Sequence, residues 1–134
     1  MRKMLVVVFA ALSMACSDGI VGSSTVFGKY TLRTVNGSIL PYTVSTIGTT
    51  KTEILGDTIN FYEGFTYAEA KTTRITVSGT ATSSTHVETG SFSLMGNSVF
   101  LRGNDGGPLQ NAPIEADVMT FIYNGLTSVF KKTK

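Results

Sequence analysis

One cysteine and one histidine in 134 residues leave little for covalent or metal chemistry to use. A lone cysteine, Cys16, excludes an internal disulfide. The single histidine, His86, lies between Thr85 and Val87 with no second histidine or cysteine at ligand spacing and no triad partner in defined reach. It therefore reads as a surface or strand-edge residue. No apolar run attains the roughly 20 residues that cross a bilayer as a helix. From Phe27 onward no stretch keeps the i, i+3, i+4 spacing of an amphipathic helix. Charge of one sign is lacking too. The formal charge is +2, but Arg2 and Lys3 are two of the eleven basic residues and all nine acidic residues lie beyond Cys16. Without those two the chain is formally neutral, which argues against a nucleic-acid partner. The only basic cluster, Lys131-Lys132-Thr133-Lys134, is terminal and reads as a solvated end that discourages edge pairing.

What is present at the start is Met1-Arg2-Lys3, an apolar run from Met4 to Met14, and Ala15-Cys16. A basic n-region, an apolar h-region and a small residue before the cut are the parts of an export signal. The arrangement resembles a bacterial lipoprotein signal. That resemblance implies that residues 1–15 are removed and that Cys16 is lipidated on its sulfur and its new amino group, anchoring the protein to the cell envelope. Ser17 after the cysteine resembles an outer-membrane address if the host is Gram-negative. Two other readings stay open: Ser13-Met14-Ala15 also fits an ordinary signal-peptidase site, which predicts plain secretion, and the segment could form a buried strand with a core cysteine. Residues 16–26, rich in Gly and Ser, read as a tether. Residues 27–134 have the length of one domain.

That domain reads as all-β, being dominated by Thr, Val, Ile and aromatics in short runs broken by Gly, Asn and Asp. The expected strands run Lys29 to Val35, with Tyr30, Leu32 and Thr34 on one face, then Ile39 to Ile47 after the Asn36-Gly37 turn. Lys51 to Leu55 and Thr58 to Tyr62 form one interrupted strand or two. Phe65 to Val77, the longest candidate, is followed by a Ser/Thr-rich turn over Gly79 to Ser84. His86 to Leu94 comes next, then Ser98 to Arg102 with either Val99 and Leu101 or Phe100 inward. Gly103 to Pro113 cannot sit inside a sheet on account of its glycines and prolines. Ile114 to Asp117, Val118 to Tyr123 and Leu126 to Lys132 complete an antiparallel meander of about eight or nine strands. Closing the sheet on itself removes its two edges, so the expected fold is a small up-and-down barrel of about eight strands. A two-sheet β-sandwich is the alternative.

Phe27-Gly28-Lys29-Tyr30-Thr31-Leu32, Val35-Asn36-Gly37 and Leu40-Pro41 resemble the opening of small bacterial lipocalin-like lipoproteins. So do Asp57-Thr58-Ile59-Asn60-Phe61, Glu88-Thr89-Gly90-Ser91-Phe92-Ser93-Leu94 and Met119-Thr120-Phe121. Lipocalins carry Gly-x-Trp on the first strand, with an arginine of the last strand over the indole. Here Tyr30 stands where the tryptophan would, and Lys131 and Lys132 stand near the place of the arginine. The resemblance implies a short barrel that binds a small apolar molecule.

The candidate lining of such a pocket is Tyr30, Phe61, Phe65, Tyr67, Phe92 and Phe121. Glu69 joins them because strict alternation over Phe65 to Val77 puts Phe65, Tyr67, Glu69, Lys71, Thr73, Ile75 and Val77 on one face. Charges there demand pairing or a polar ligand, unless a bulge near Ala68 to Ala70, or a strand end beyond the barrel, turns them out. Glu53, Asp57, Glu63, Glu69 and Glu88 otherwise fit outward positions, Glu115 and Asp117 fit one solvated strand face, and Asn104-Asp105-Gly106-Gly107 fits a turn better than a calcium loop. No catalytic constellation, cofactor motif or metal site is legible. The expected function is a non-catalytic, membrane-anchored barrel that binds a small apolar ligand. The alternative is a structural lipoprotein with a filled core that contacts an envelope protein partner through the 103–113 loop or an exposed edge.

Overall fold

A computed structural model describes residues 26–134. Cys16, the segment 1–15 expected to be a signal and the expected tether as far as residue 25 lie outside the described residues. Ten strands follow one another: β1 (Gly28–Val35), β2 (Ser38–Ile39), β3 (Tyr42–Ile47), β4 (Thr50–Tyr62), β5 (Thr66–Val77), β6 (Thr80–Met95), β7 (Ser98–Gly103), β8 (Gln110–Glu115), β9 (Val118–Tyr123) and β10 (Leu126–Lys132). From β4 to β10 each strand pairs antiparallel with its successor, as a meander does. β1 then joins both ends of that run, pairing with β10 from Tyr30↔Lys132 to Val35↔Ser128 and with β4 from Gly28↔Phe61 to Thr31↔Thr58. The result is a closed eight-stranded barrel, with β2 and β3 attached at its margin. This closure decides between barrel and sandwich.

Two bulges set which residues face inward. The β1/β10 register shifts between Leu32 and Thr34, so Arg33 is an extra residue and Val35, not Thr34, follows Leu32 into the core. A second shift between Ile54 and Gly56 makes β4 one continuous strand with Leu55 extra, and places Ile54 on the face of Asp57, Ile59 and Phe61. Strict alternation holds in β5, which pairs without interruption with β6 from Thr66↔Ser91 to Val77↔Thr80. Glu69 and Lys71 therefore do share the inward face with Tyr67. Phe65 lies outside this strand, in a turn at φ 61°.

Several expected boundaries move. The Leu40-Pro41 peptide is cis and separates β2 from β3, so Ile39 to Ile47 is not one strand. The turn after β5 is only Ser78-Gly79, at φ 47° and 86°, the paired positive values of a two-residue hairpin. Thr80 to Ser84 consequently belong to β6, and His86 lies mid-strand. Gln110 to Pro113 belong to β8, where Pro113 stands opposite Ser98, while the irregular loop is shorter than 103–113. Ala116 and Asp117 form another positive-φ turn, so Glu115 and Asp117 do not share a strand face. In β7, Val99 and Leu101 are buried and Phe100 is not.

β6 meets β7 only from Gly90 to Met95. Beyond that point β3, the first part of β4, the second part of β5 and the first part of β6 continue past the barrel rim as a free-standing flange. Its outer strands β3 and β6 are largely exposed, while β4 and β5 between them are half-buried and Glu53 and Ile54 are buried. Threonine suits this place, because its branched Cβ favours extended backbone while its hydroxyl tolerates water.

Candidate functional site

The two ends of the barrel differ. At the end carrying the β4–β5 turn, Phe61 packs edge-on against Tyr30 at 5.5 Å and Phe92 at 4.8 Å between ring centroids. Phe65 lies 5.3 Å from Phe92, and Phe27 covers both at 6.0 and 6.2 Å. Tyr67 tilts against Phe61 at 6.5 Å. This end is filled. The Lys132 ammonium stands 6.0 Å over the Tyr30 ring, and Gly28 makes room for its stem, since a Cβ there would come within 3.1 Å of Lys132 Cε. Tyr30 is fully buried with an unpartnered hydroxyl. Burial, then the nearby Asp117 charge, pushes its pKa up to about 12.

At the flange end the barrel opens into a cavity of about 300 Å³. One wall is apolar, with Leu32, Ile54, Ile59, Phe121 and Phe130, the last two in edge contact at 5.7 Å. A polar wall adjoins it: Asp57, between Ile54 and Ile59 on the same face of β4, with Glu69, Lys71, His86 and Glu88 from β5 and β6 and Asp105 from the loop after β7. Register explains the grouping: Asp57 lies opposite Lys71, Lys71 opposite His86, and Glu69 opposite Glu88. Of the residues expected to line a pocket, Glu69 and Phe121 lie on its wall. Tyr30, Phe61, Phe65, Tyr67 and Phe92 instead pack at or beside the filled end.

The polar wall is connected. Lys71 Nζ lies 3.4 Å from Asp57 Oδ2 and 3.5 Å from Glu69 Oε1. Tyr67 bridges the two ends of the barrel, because its buried ring joins the aromatic cluster while its hydroxyl donates to Glu88 Oε1 at 2.6 Å. Burial and then that carboxylate raise the Tyr67 pKa, so the phenol stays a donor. Asp105 Oδ1 accepts from the Gly107 amide at 2.9 Å, which shapes the loop at the rim. Burial of Lys71 opposes its charge, but Asp57 and Glu69 outweigh this and raise its pKa.

Asp57 has the most perturbed acid in the site. Its side chain is 2% exposed, and burial, reinforced by the Glu69 charge and only partly offset by Lys71, pushes its pKa up to about 7. A raised acid pKa means that the folded state holds the proton more tightly than the unfolded chain. The resulting stability is complete below the ordinary value of 3.8 and is lost as pH rises through about 7. Wild-type protein should therefore show a lower urea midpoint at about pH 8 than at about pH 5. Asp57→Asn should flatten that slope, and an equal slope in the variant would refute the assignment. Glu53 acts at lower pH. Lys51 and Arg74 hydrogen-bond it and hold its pKa down, with Arg74 Nη2 and Nε at 2.8 and 2.9 Å from Oε2, so its contribution is lost only in acid.

The expectation that Asp57 and Glu88 point outward fails, and alternation already contradicts it, since Asp57 shares a face with Ile59 and Phe61 and Glu88 shares one with Phe92. A two-residue turn at Ser78-Gly79 is the available signal for the β5/β6 pair, since it alone places Glu69 opposite Glu88. Asp105 has none, because its position depends on how the loop folds over the rim. No protein-family model matches this chain, and no curated protein matches it in sequence.

Proposed function

We propose that the protein takes up a small, largely apolar ligand through the open end of its barrel and is held on the cell envelope by lipid on Cys16. The observation that carries the binding part is the cavity between the filled aromatic end and the rim. Its volume of about 300 Å³ stands at the lower bound of small-molecule pockets, roughly 300–1,000 Å³. A filled core would leave no such space. The closed end supports a lipocalin-like reading: Gly28, Tyr30 and Lys132 occupy the relation that glycine, tryptophan and arginine have in that family. The anchoring part rests on the residues around Cys16. A second reading, contact with an envelope protein, is favoured by the flange, where β6 from Thr80 to Glu88 has a described strand partner on one side only.

Native mass spectrometry of the purified chain tests both parts. The expected mass begins at a lipid-modified Cys16 and includes a non-covalent ligand. Ser128 lines the cavity opposite Phe121, so Ser128→Trp should fill the space and abolish uptake of the neutral dye N-phenyl-1-naphthylamine. An unmodified Cys16 would overturn the anchor. Dye uptake unchanged by Ser128→Trp would overturn the cavity as the binding place.

A further inference from the structure

The polar wall of the cavity carries unbalanced charge. Asp57, Glu69, Glu88 and Asp105 all line it, and Lys71 is the one lysine or arginine among the lining residues. Glu69 and Glu88 stand directly opposite each other across β5 and β6, a like-charge pairing that destabilises a sheet. Lys71 reaches Asp57 and Glu69, while the four ion pairs among the described residues include neither Glu88 nor Asp105. Those two carboxylates converge over Gly103, where a Cβ would lie 2.5 Å from Glu88 Oε1 and 2.7 Å from Asp105 Oδ1. A residue without a side chain keeps that space open.

A second observation points to a missing donor. Asp57 Oδ1 is buried and has no hydrogen-bond partner, although Oδ2 of the same carboxylate faces Lys71. A buried orphan acceptor is costly, and one in a cavity wall is relieved by a ligand that brings an N–H. Among the described residues no three acidic or histidine groups lie close enough to hold a metal ion. The negative charge is spread over three strands and a loop, with Asp57 on β4, Glu69 on β5, Glu88 on β6 and Asp105 after β7.

We infer that the ligand is an organic ammonium. Its head binds at the polar wall formed by Asp57, Glu69, Glu88 and Asp105, and its apolar body lies on Ile59, Phe121 and Phe130. This assignment deepens the proposed binding function and rests on it. Above the Asp57 pKa of about 7 the four carboxylates only accept, so the wall favours a cationic donor over an alcohol and repels an anion. Lys71 does not reverse that preference, because two carboxylates already engage it.

The test is calorimetric titration of the full-length chain carrying Cys16→Ser with three near-isosteric probes: phenethylammonium, 2-phenylethanol and 3-phenylpropionate, at about pH 8. Phenethylammonium should bind at least about tenfold more tightly than the alcohol, and the carboxylate most weakly. Glu88→Gln, which keeps an acceptor for Tyr67, and Asp105→Asn should each weaken the ammonium about fivefold or more and leave the alcohol unchanged. Equal binding of ammonium and alcohol, or tightest binding of the carboxylate, would overturn the ammonium assignment while the apolar-ligand reading stands. Binding of none of the three would remove both. The probe series needs no variant, so it decides the matter even if a substitution impairs folding.

Discussion

Gly90→Ala is expected to destabilise the protein by roughly 3 kcal/mol or more, and Gly90→Val to prevent folding. Gly90 is buried in β6, opposite Tyr67 on one side and Gly103 on the other. A Cβ there would collide with the Arg102 carbonyl oxygen and lie 2.7 Å from Tyr67 Cε1. Neither neighbour can yield cheaply. The carbonyl belongs to the β6/β7 ladder, and the Tyr67 ring is held between Phe61 and its hydrogen bond to Glu88. A total stability of about 5–15 kcal/mol leaves little margin for such a loss. Urea denaturation followed by near-ultraviolet circular dichroism reads it directly. Gly56→Ala is the internal control, since nothing lies within 4 Å of a Cβ at that position. A Gly90→Ala protein as stable as the Gly56→Ala protein would show that β6 and β7 do not meet closely at this point.

Phe61→Ala should cost about 3–5 kcal/mol, the usual range for emptying a buried aromatic site. The ring is 2% exposed and touches three others, Tyr30, Tyr67 and Phe92. The contacts with Tyr30 and Phe92 are edge-to-face, and such pairs add about 0.5–1.5 kcal/mol each beyond burial, so losing the centre of the cluster weakens both at once. The milder Phe61→Leu should remain folded with a smaller loss. Its uptake of N-phenyl-1-naphthylamine per folded molecule should equal that of wild type, because Phe61 packs at the filled end and not on the cavity wall. Reduced dye uptake by a folded Phe61→Leu protein would instead return Phe61 to the pocket lining.

Phe61 and its neighbours on β5 also mark how far the alternation of side chains can be trusted. Period-two spacing places Phe61, Tyr67 and Glu69 inside, and that placement holds because nothing interrupts β5. The same rule fails at Thr34, where the extra residue Arg33 reverses the alternation. Bulges such as those at Arg33 and Leu55 carry no strong local mark, since they exist to match one strand to the curvature of its neighbours. Pro113 misleads in another way. A proline weakens a strand assignment, yet its place in β8 opposite Ser98 is accommodated. Aromatic residues suggest a ligand site because rings serve equally in a core and in a pocket, and their identity does not distinguish the two.

Local chemistry alone determined the all-β class, the tight turn at Asn36-Gly37 and the inward face of β5, because turn conformation and side-chain alternation depend on near neighbours. Only the tertiary structure decided which end of the barrel is packed and which is hollow, how far the flange extends past the rim, and that Asp57, Glu69, Glu88 and Asp105 meet at one wall. Those outcomes depend on the closure of β1 onto β4 and on cross-strand register. Both are contacts between residues distant in sequence, and no local pattern encodes them.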